Sequence, residues 1–304
     1  MGKRRTRGRD VNGIVLLDKP VGITSNSALQ KIKRLFNANK AGHTGSLDPM
    51  AGGLLPICLG EATKISGYLL EADKAYTGTC KLGIRTTTAD AEGEIIEQRP
   101  VAEHSEAEVK RILAQFVGEI DQIPPMHSAI KQNGQPLYKL AHQGKEVERK
   151  PRRVTIHSLQ LVRLAGDELE ISLRCSKGTY VRTLAEDIGR ALGCGAHLSA
   201  LRRTETGSFH IGQAVTLETL TEMAESGFEE LDRVIVPMEQ ALADWPVVQL
   251  SENSAFYVLR GQAVQVAKAP TEGWVCLTSD GVFLGIGEVL EDGRVAPRRL
   301  VKSG

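Results

Sequence analysis

The chain has 304 residues, 41% hydrophobic and 25% charged, which suits one large globular domain with a small second one. Its formal net charge of +1 does not by itself suggest a nucleic-acid partner. Cys58, Cys80, Cys175, Cys194 and Cys276 form no C-x-x-C pair, and the seven histidines show no H-x-x-x-H spacing. A disulfide framework and a zinc site are therefore both excluded as expectations, and no metal is called for. The basic N-terminus lacks the apolar stretch of a signal peptide, and no run of eighteen apolar residues occurs, so a cytoplasmic location is expected.

Val11–Asp18 reads as a buried strand, followed by a turn at Lys19-Pro20-Val21-Gly22. Leu29, Ile32 and Phe36 recur at helical spacing, with Ser27 and Gln30 as a capping box. A Gly- and Pro-rich loop over Gly42–Pro56 comes next, then a helix from about Glu61 to Glu71 carried by Ala62, Ile65 and Leu69. At Tyr76 the period becomes two: Tyr76, Cys80 and Leu82 share one face of a half-buried strand, with Gly78 between them. Ser105 and Glu108 open a helix whose stripe is Val109, Ile112, Leu113 and Phe116.

Residues 123–151 interrupt this order with Ile123-Pro124-Pro125, Asn133-Gly134 and Gln143-Gly144, and are expected to form a mobile insertion. Leu169, Ile171, Leu173 and Cys175 then alternate as a strand, and Val181, Leu184, Ala185, Ile188 and Leu192 return to helix. Beyond Asp244-Trp245-Pro246, Ser251–Arg260 predicts a short helix, and Trp274–Thr278 with Val282–Ile286 flank Ser279-Asp280-Gly281 as a hairpin. Strands and helices intermix without βαβ cadence or a G-x-G-x-x-G, so the expected class is α+β with a mixed sheet. The expected domains are residues 1–246, holding the insertion, and a small β-rich unit over 247–304.

Basic residues cluster locally. Lys3, Arg4, Arg5, Arg7 and Arg9 face Asp10 alone, and Lys145, Arg149, Lys150, Arg152 and Arg153 outnumber Glu146 and Glu148. Arg294, Arg298, Arg299 and Lys302 crowd the C-terminus. Such patches on a near-neutral body suit a protein that grips phosphates selectively.

The most informative stretch is Gly42-His43-Thr44-Gly45-Ser46-Leu47-Asp48-Pro49, continued by Met50-Ala51-Gly52-Gly53-Leu54-Leu55-Pro56. Gly42 and Gly45 permit positive φ, and Pro49 fixes its own φ and drives Asp48 towards extended geometry. Asp-Pro in such a segment is ordinarily a turn. Small and apolar neighbours, however, suit a carboxylate that must be aimed and partly dried. This block, of the form G-H-T-G-x-L-D-P-x-A-x-G-x-L-P, resembles the catalytic motif of the bacterial tRNA pseudouridine synthases of the TruB type.

The resemblance extends along the chain. Gly13-x5-Lys19-Pro20-x-Gly22-x2-Ser25 is similar to that family's N-terminal block, and Lys177-Gly178-Thr179-Tyr180-Val181-Arg182 to its K-G-T-Y-(I/V)-R motif. Gly195-Ala196-His197-Leu198-x2-Leu201-Arg202-Arg203 resembles its G-A-x-x-x-x-L-R-R block, and Gly293–Arg299 the end of its PUA-like RNA-binding domain.

The resemblance implies a pseudouridine synthase fold with a mainly antiparallel sheet core. It implies isomerisation of uridine 55 in the T loop of tRNA, with Asp48 as nucleophile and no cofactor. Its point of attack, ribose C1′ or uracil C6, or assistance to proton loss at C2′, stays open. Burial would raise the Asp48 pKa by up to ~3–5 units, and a nearby cation would lower it by ~1–3. A buried guanidinium is thus required, and by the resemblance it is Arg182.

The resemblance also makes Tyr76 the ring that stacks on the flipped base and a proton-transfer candidate. Tyr180 becomes the second pocket aromatic, Leu201 an apolar wall, and His43 the side chain that fills the vacated space. Lys19, Lys64, Lys131, Arg202 and Arg203 are candidate phosphate contacts. Two rival readings remain: action on another RNA, guided by a partner complex, and a non-catalytic module that binds and helps fold tRNA. With no heptads or apolar stripe, a monomer without an obligate protein partner is the default.

Overall fold

The computed structural model describes residues 8–302, apart from residues 129, 133, 142 and 146. Lys3, Arg4, Arg5 and Arg7 of the N-terminal cluster, Asn133 of the Asn-Gly pair and Glu146 lie outside the described residues.

The chain begins with β1 (Gly13–Lys19), α1 (Ser25–Leu35), β2 (Ala41–His43) and β3 (Ala51–Leu59). A 3-10 turn over Gly60–Lys64 leads to α2 (Ser66–Glu71), β4 (Lys74–Leu82) and the hairpin of β5 (Ile84–Thr86) and β6 (Ile95–Gln98). Next come α3 (Glu106–Ala114) and β7 (Gly118–Gln122), then the insertion with β8 (Lys131–Gln132), β9 (Gln135–Pro136) and α4 (Leu137–Ala141). The long pair β10 (Arg152–Ala165) and β11 (Glu168–Cys175) is followed by α5 (Val181–Ala191) and β12 (Ala196–Thr206).

Shorter pieces follow: β13 (Phe209–His210), β14 (Val215–Thr216), α6 (Leu217–Ser226), α7 (Phe228–Asp232) and β15 (Ile235–Val236). The C-terminal part holds β16 (Val247–Gln249), α8 (Glu252–Val258), β17 (Gly273–Ser279), β18 (Val282–Val289) and β19 (Val295–Leu300).

One eleven-stranded sheet, in the order β14-β1-β3-β12-β4-β11-β10-β7 with β2, β13 and β15 attached, forms the main body. Its neighbours are antiparallel except β1–β14 and β3–β12, so the sheet is mixed and mainly antiparallel, within an α+β fold. Along β4 the even positions are buried, including Tyr76, Cys80 and Leu82, as period two requires. They join Val109, Ile112 and Leu113 of α3 and Leu184, Ala185 and Ile188 of α5 in one core. A second core packs Leu55, Ile57 and Leu59 of β3 against Ala28, Leu29 and Ile32 of α1 and Leu220 of α6.

Three local expectations change. α1 is capped by Thr24, whose hydroxyl accepts from the Ser27 N–H at 3.0 Å, and not by a Ser27–Gln30 box. Thr24 carries the extended backbone of a cap residue, while Ser27 is already inside the helix. The helix expected over Glu61–Glu71 begins as the 3-10 turn. That turn is tightened by Thr63 donating to the Gly60 carbonyl at 2.7 Å and by Glu61 N–H donating to Asn12 Oδ1 at 2.7 Å. The second half of the motif is strand, not loop: all nine residues of β3 are buried because it runs between β1 and β12 with cores on both faces.

The C-terminal sheet, β16-β17-β18-β19, has its own core of Val248, Val258, Val275, Leu277 and Val295. The expected hairpin is present, with φ of 49° at Asp280 and 76° at Gly281, the left-handed pair its tight turn demands. A third cluster joins the two bodies through Ile65, Leu242, Cys276, Phe283 and Ile286.

Candidate active site

Asp48 stands on the seven-residue connection between β2 and β3, and four backbone anchors fix that connection. Leu47 donates its N–H to Ser25 Oγ at 2.7 Å, and the same hydroxyl donates back to the Leu47 carbonyl at 3.0 Å. Gly22 N–H reaches the Pro49 carbonyl at 2.8 Å, and Thr44 N–H the Pro56 carbonyl at 3.2 Å. Ala51 N–H closes a turn on the Asp48 carbonyl at 3.1 Å. Gly45 takes φ 95°, as the sequence suggested, whereas Gly42 lies in β2 without positive φ. Leu47 points into the core at 6% exposure, while the next side chain, Asp48, keeps 40% of its surface exposed.

Arg182, in the first turn of α5, meets Asp48 with Nε at 3.0 Å from Oδ2. Its Nη1 pairs with Asp90 Oδ2 at 3.1 Å and its Nη2 donates to the His127 carbonyl at 2.8 Å. The Arg182 side chain is 7% exposed and Asp90 3%, while Asp48 keeps 40% of its side-chain surface open to the cleft. One guanidinium fork thus holds a buried carboxylate on one arm and an accessible one on another, a geometry that lysine cannot reproduce.

Desolvation by the cleft walls pushes the Asp48 carboxyl above its ordinary range, and Asp90 adds to this. Arg182, Lys19 and His127 oppose it. The net direction is upward, so the cation expected to restore an ordinary value offsets the burial only in part.

Tyr76 of β4 is 9% exposed, and burial raises its phenol while the Arg203 guanidinium works against that rise. Tyr180 caps α5, its N–H donating to Gln122 Oε1 at 3.0 Å, and its phenol is also raised by burial. Leu201 packs on the β4–α5 core, in register with Gly78 on one side and Ala51 on the other. His43 lies half-buried on β2 with Nδ1 buried and unpartnered, and burial, then Arg203, lowers its pKa. Asp48, Arg182 and Tyr76 therefore converge, with electrostatic links from Asp48 to Tyr76 and Tyr180.

The basic candidates divide. Lys19 is fully buried and donates to the Pro20 and Ile23 carbonyls at 2.9 and 2.7 Å. Burial lowers its pKa to about 8, while Asp48 acts to raise it. Arg203 is 1% exposed with its donors turned onto the Leu54 and Gly45 carbonyls. Lys64 is bound to Glu61 at 2.6 Å and to the Leu300 carbonyl at 2.9 Å, tying the main body to β19. Arg202 pairs with Asp18 at 2.6 Å but remains 48% exposed, and Lys131 is exposed on β8.

Asp90 is the site residue that sequence reasoning missed. Its only signal is an acid after Thr86-Thr87-Thr88, two of whose hydroxyls do serve it: Thr86 donates to its carbonyl at 2.6 Å and Thr88 to its Oδ1 at 2.5 Å. Among the described residues no group of three or more His, Cys, Asp or Glu side chains is arranged to hold a metal ion.

Three family models tile the chain: "TruB family pseudouridylate synthase (N terminal domain)" over residues 33–181, "tRNA pseudouridylate synthase B C-terminal domain" over 182–243, and "Pseudouridine synthase II TruB, C-terminal" over 246–301. The chain belongs to the TruB family of pseudouridine synthases. Curated relatives named tRNA pseudouridine synthase B include one from Nitrosococcus oceani, 58% identical over 99% of this chain and 98% of its own length. Another, from Stutzerimonas stutzeri, is 58% identical over 97% of each. A solved Cbf5-Nop10-Gar1 complex contains a chain with TM-score 0.74 and 27% identity, covering 95% of this chain and 84% of its own. An H/ACA RNP bound to a substrate RNA contains a chain of the same fold, with TM-score 0.73 at 24% identity, covering 99% of this chain and 92% of that one. Like other TruB-family synthases the protein is an isomerase, and the third family match covers the PUA-like C-terminal part.

Proposed function

We propose that the protein converts uridine 55 in the T loop of tRNA to pseudouridine, with Asp48 as the nucleophile. The observation that carries this reading is the cleft carboxylate of Asp48, aimed by the Arg182 guanidinium at 3.0 Å yet still accessible. The choice of tRNA is supported by relatives 55–58% identical, named for that substrate. In the reaction the N1–C1′ bond breaks, a C5–C1′ bond forms, and the C5 proton leaves as N1 gains one. A loop uridine reaches Asp48 only after flipping out, which costs a few kcal/mol and is offset by contacts in the pocket. Tyr76 stacks on the base, Tyr180 and Leu201 line the pocket, and His43 fills the gap left in the loop.

Phosphates are met by the exposed Lys131 and Arg202, with Lys64 close to the C-terminal sheet. The protein works as a cytoplasmic monomer, with a catalytic domain over 1–246, an RNA-binding insertion over 123–151 and a PUA-like RNA-binding domain over 247–304. Tritium release from C5-labelled uridine in a T-arm hairpin tests the reaction. Wild-type protein should release tritium, and Asp48→Asn should release none while binding tRNA within about threefold of wild type. Binding without release by the wild type would favour the tRNA-folding alternative instead.

A further inference from the structure

Arg202 of β12 is in register with Gly52 of β3, and Asp18 of β1 with Leu54, so the two charged residues stand on the strands either side of β3. The Arg202 side chain bridges them, its Nη2 donating to Asp18 Oδ2 at 2.6 Å. It crosses β3 where that strand carries no side chains. A Cβ on Gly53 would stand 3.1 Å from Arg202 Cγ, and one on Gly52 would stand 3.8 Å from its Nη1. The glycine pair leaves room for an arginine laid across the strand, and Asp18 ends its reach. The rest of the fork is open. Arg202 keeps 48% of its side-chain surface exposed against 21% for Asp18, and among the described residues no second acceptor meets it. Nε and Nη1 therefore keep their N–H groups for a ligand, and a guanidinium has donors only, so that ligand is an anion.

The place of the open arm says which anion. The same Cβ on Gly52 would stand 3.5 Å from Val21 Cγ1, so Val21 and Arg202 Nη1 flank one spot. Val21 is 66% exposed, and the N–H of its neighbour Gly22 reaches the carbonyl of Pro49, the residue after Asp48, at 2.8 Å. The open arm thus lies at the surface beside the connection that carries Asp48, where a flipped uridine must bring its backbone. We propose that Asp18 is a positioning residue, which holds one arm of Arg202 so that the rest of the fork receives a backbone phosphate at the rim of the cleft. The proposal rests on the reading of Arg202 as a phosphate contact. A carboxylate beside an RNA-binding surface otherwise only repels phosphate, so charge alone predicts tighter binding without Asp18, whereas positioning predicts weaker binding.

Binding of the T-arm hairpin is measured against salt concentration for wild type, Asp18→Ala, Arg202→Gln and the double variant. Arg202→Gln should weaken binding about fivefold or more and reduce the salt slope by about 0.7–0.9, the loss of one phosphate. Asp18→Ala should weaken it about two- to fivefold, the reach of an exposed ion pair, and raise KM alike with kcat within about twofold. In the Arg202→Gln background the same substitution should weaken nothing, since no guanidinium is left to aim. Unchanged or tighter binding by Asp18→Ala, or losses that simply multiply, would overturn the proposal while leaving Arg202 a phosphate contact. Wild-type affinity and salt slope in Arg202→Gln would sink that reading and this proposal with it.

Should Asp18→Ala fail to fold, Arg202→Lys decides. It keeps the charge but loses the fork, so it should bind about two- to fivefold more weakly at an unchanged salt slope. Wild-type affinity in Arg202→Lys would overturn the positioning role.

Discussion

Asp48, Arg182 and Asp90 form a three-membered charge chain in which the middle group is shared. Asp90 pushes the Asp48 carboxyl up and Arg182 pulls it down, so the two neighbours should move the acid limb of activity in opposite directions. Arg182→Lys should slow tritium release by about 10–150-fold, the worth of about 1.5–3 kcal/mol in charge-assisted hydrogen bonding, and should shift the acid limb to higher pH. Asp90→Asn should also slow the reaction, since Arg182 loses one of its two carboxylate partners, but should shift the limb to lower pH. A pH profile of single-turnover rates distinguishes them, and shifts in one common direction would contradict the shared-fork account.

Lys19 and Lys74 carry a second residue-scale consequence. Burial lowers both from 10.5 to about 8. Between those values the unfolded chain holds protons that the folded chain has released, so stability rises with pH from about 8 towards 10.5. The buried thiols of Cys58 and Cys80, raised to about 12, and of Cys175 and Cys276, raised to about 11, act in the opposite sense above pH 9, so the lysine contribution is read as a difference. The denaturant midpoint of wild type minus that of Lys74→Met should grow from pH 8 to 10, and a constant difference would refute it.

At the scale of elements, the site depends on how the Asp48 connection and β3 are pinned. Ser25, the first residue of α1, carries the backbone of Leu47 on both its lone pair and its proton. Ser25→Ala strands a buried N–H and carbonyl, with an expected cost of about 1–3 kcal/mol and a fall in kcat because Asp48 follows Leu47 directly. Urea denaturation and turnover check both parts. Gly53 is the tighter constraint: it takes φ 98°, and a Cβ there would strike the Arg203 backbone. Gly53→Ala should destabilise by about 2–4 kcal/mol through positive φ and overpacking combined, and a change below about 1 kcal/mol would show that β3 and β12 can part.

Across the whole molecule, the main sheet and the C-terminal sheet meet through aromatic rings and two polar ties. Tyr68 of α2 packs edge-on to Trp245 at 5.0 Å and to Trp274 at 5.6 Å. Lys64 reaches the Leu300 carbonyl at 2.9 Å, and Lys302 N–H reaches Glu61 at 2.7 Å. Tyr68→Ala should alter tryptophan fluorescence and weaken tRNA binding while leaving the single-turnover rate at saturating RNA within about twofold. An equal loss in the saturated rate would mean that the joint shapes the catalytic cleft itself.

The sequence by itself determined the periodic elements. The alternation at Tyr76, Cys80 and Leu82, the Ser105 cap and the Asp280-Gly281 turn needed only local stereochemistry and burial on one face. It also pointed to the Asp48–Arg182 ion pair, because a fifteen-residue motif and a K-G-T-Y-V-R segment carry that resemblance in consecutive positions. What lay beyond reach was set by neighbours distant in sequence. The residues from Ala51 to Pro56 read as loop from their glycines and proline, yet belong to a strand because β1 and β12 flank them. Nothing local shows that Lys19 and Arg203 are buried, at 0% and 1% exposure. Asp90 becomes legible only when Arg182, 92 positions away, is brought to 3.1 Å. A charged residue's role depends on the dielectric and partners that tertiary packing assembles around it, and local sequence specifies neither.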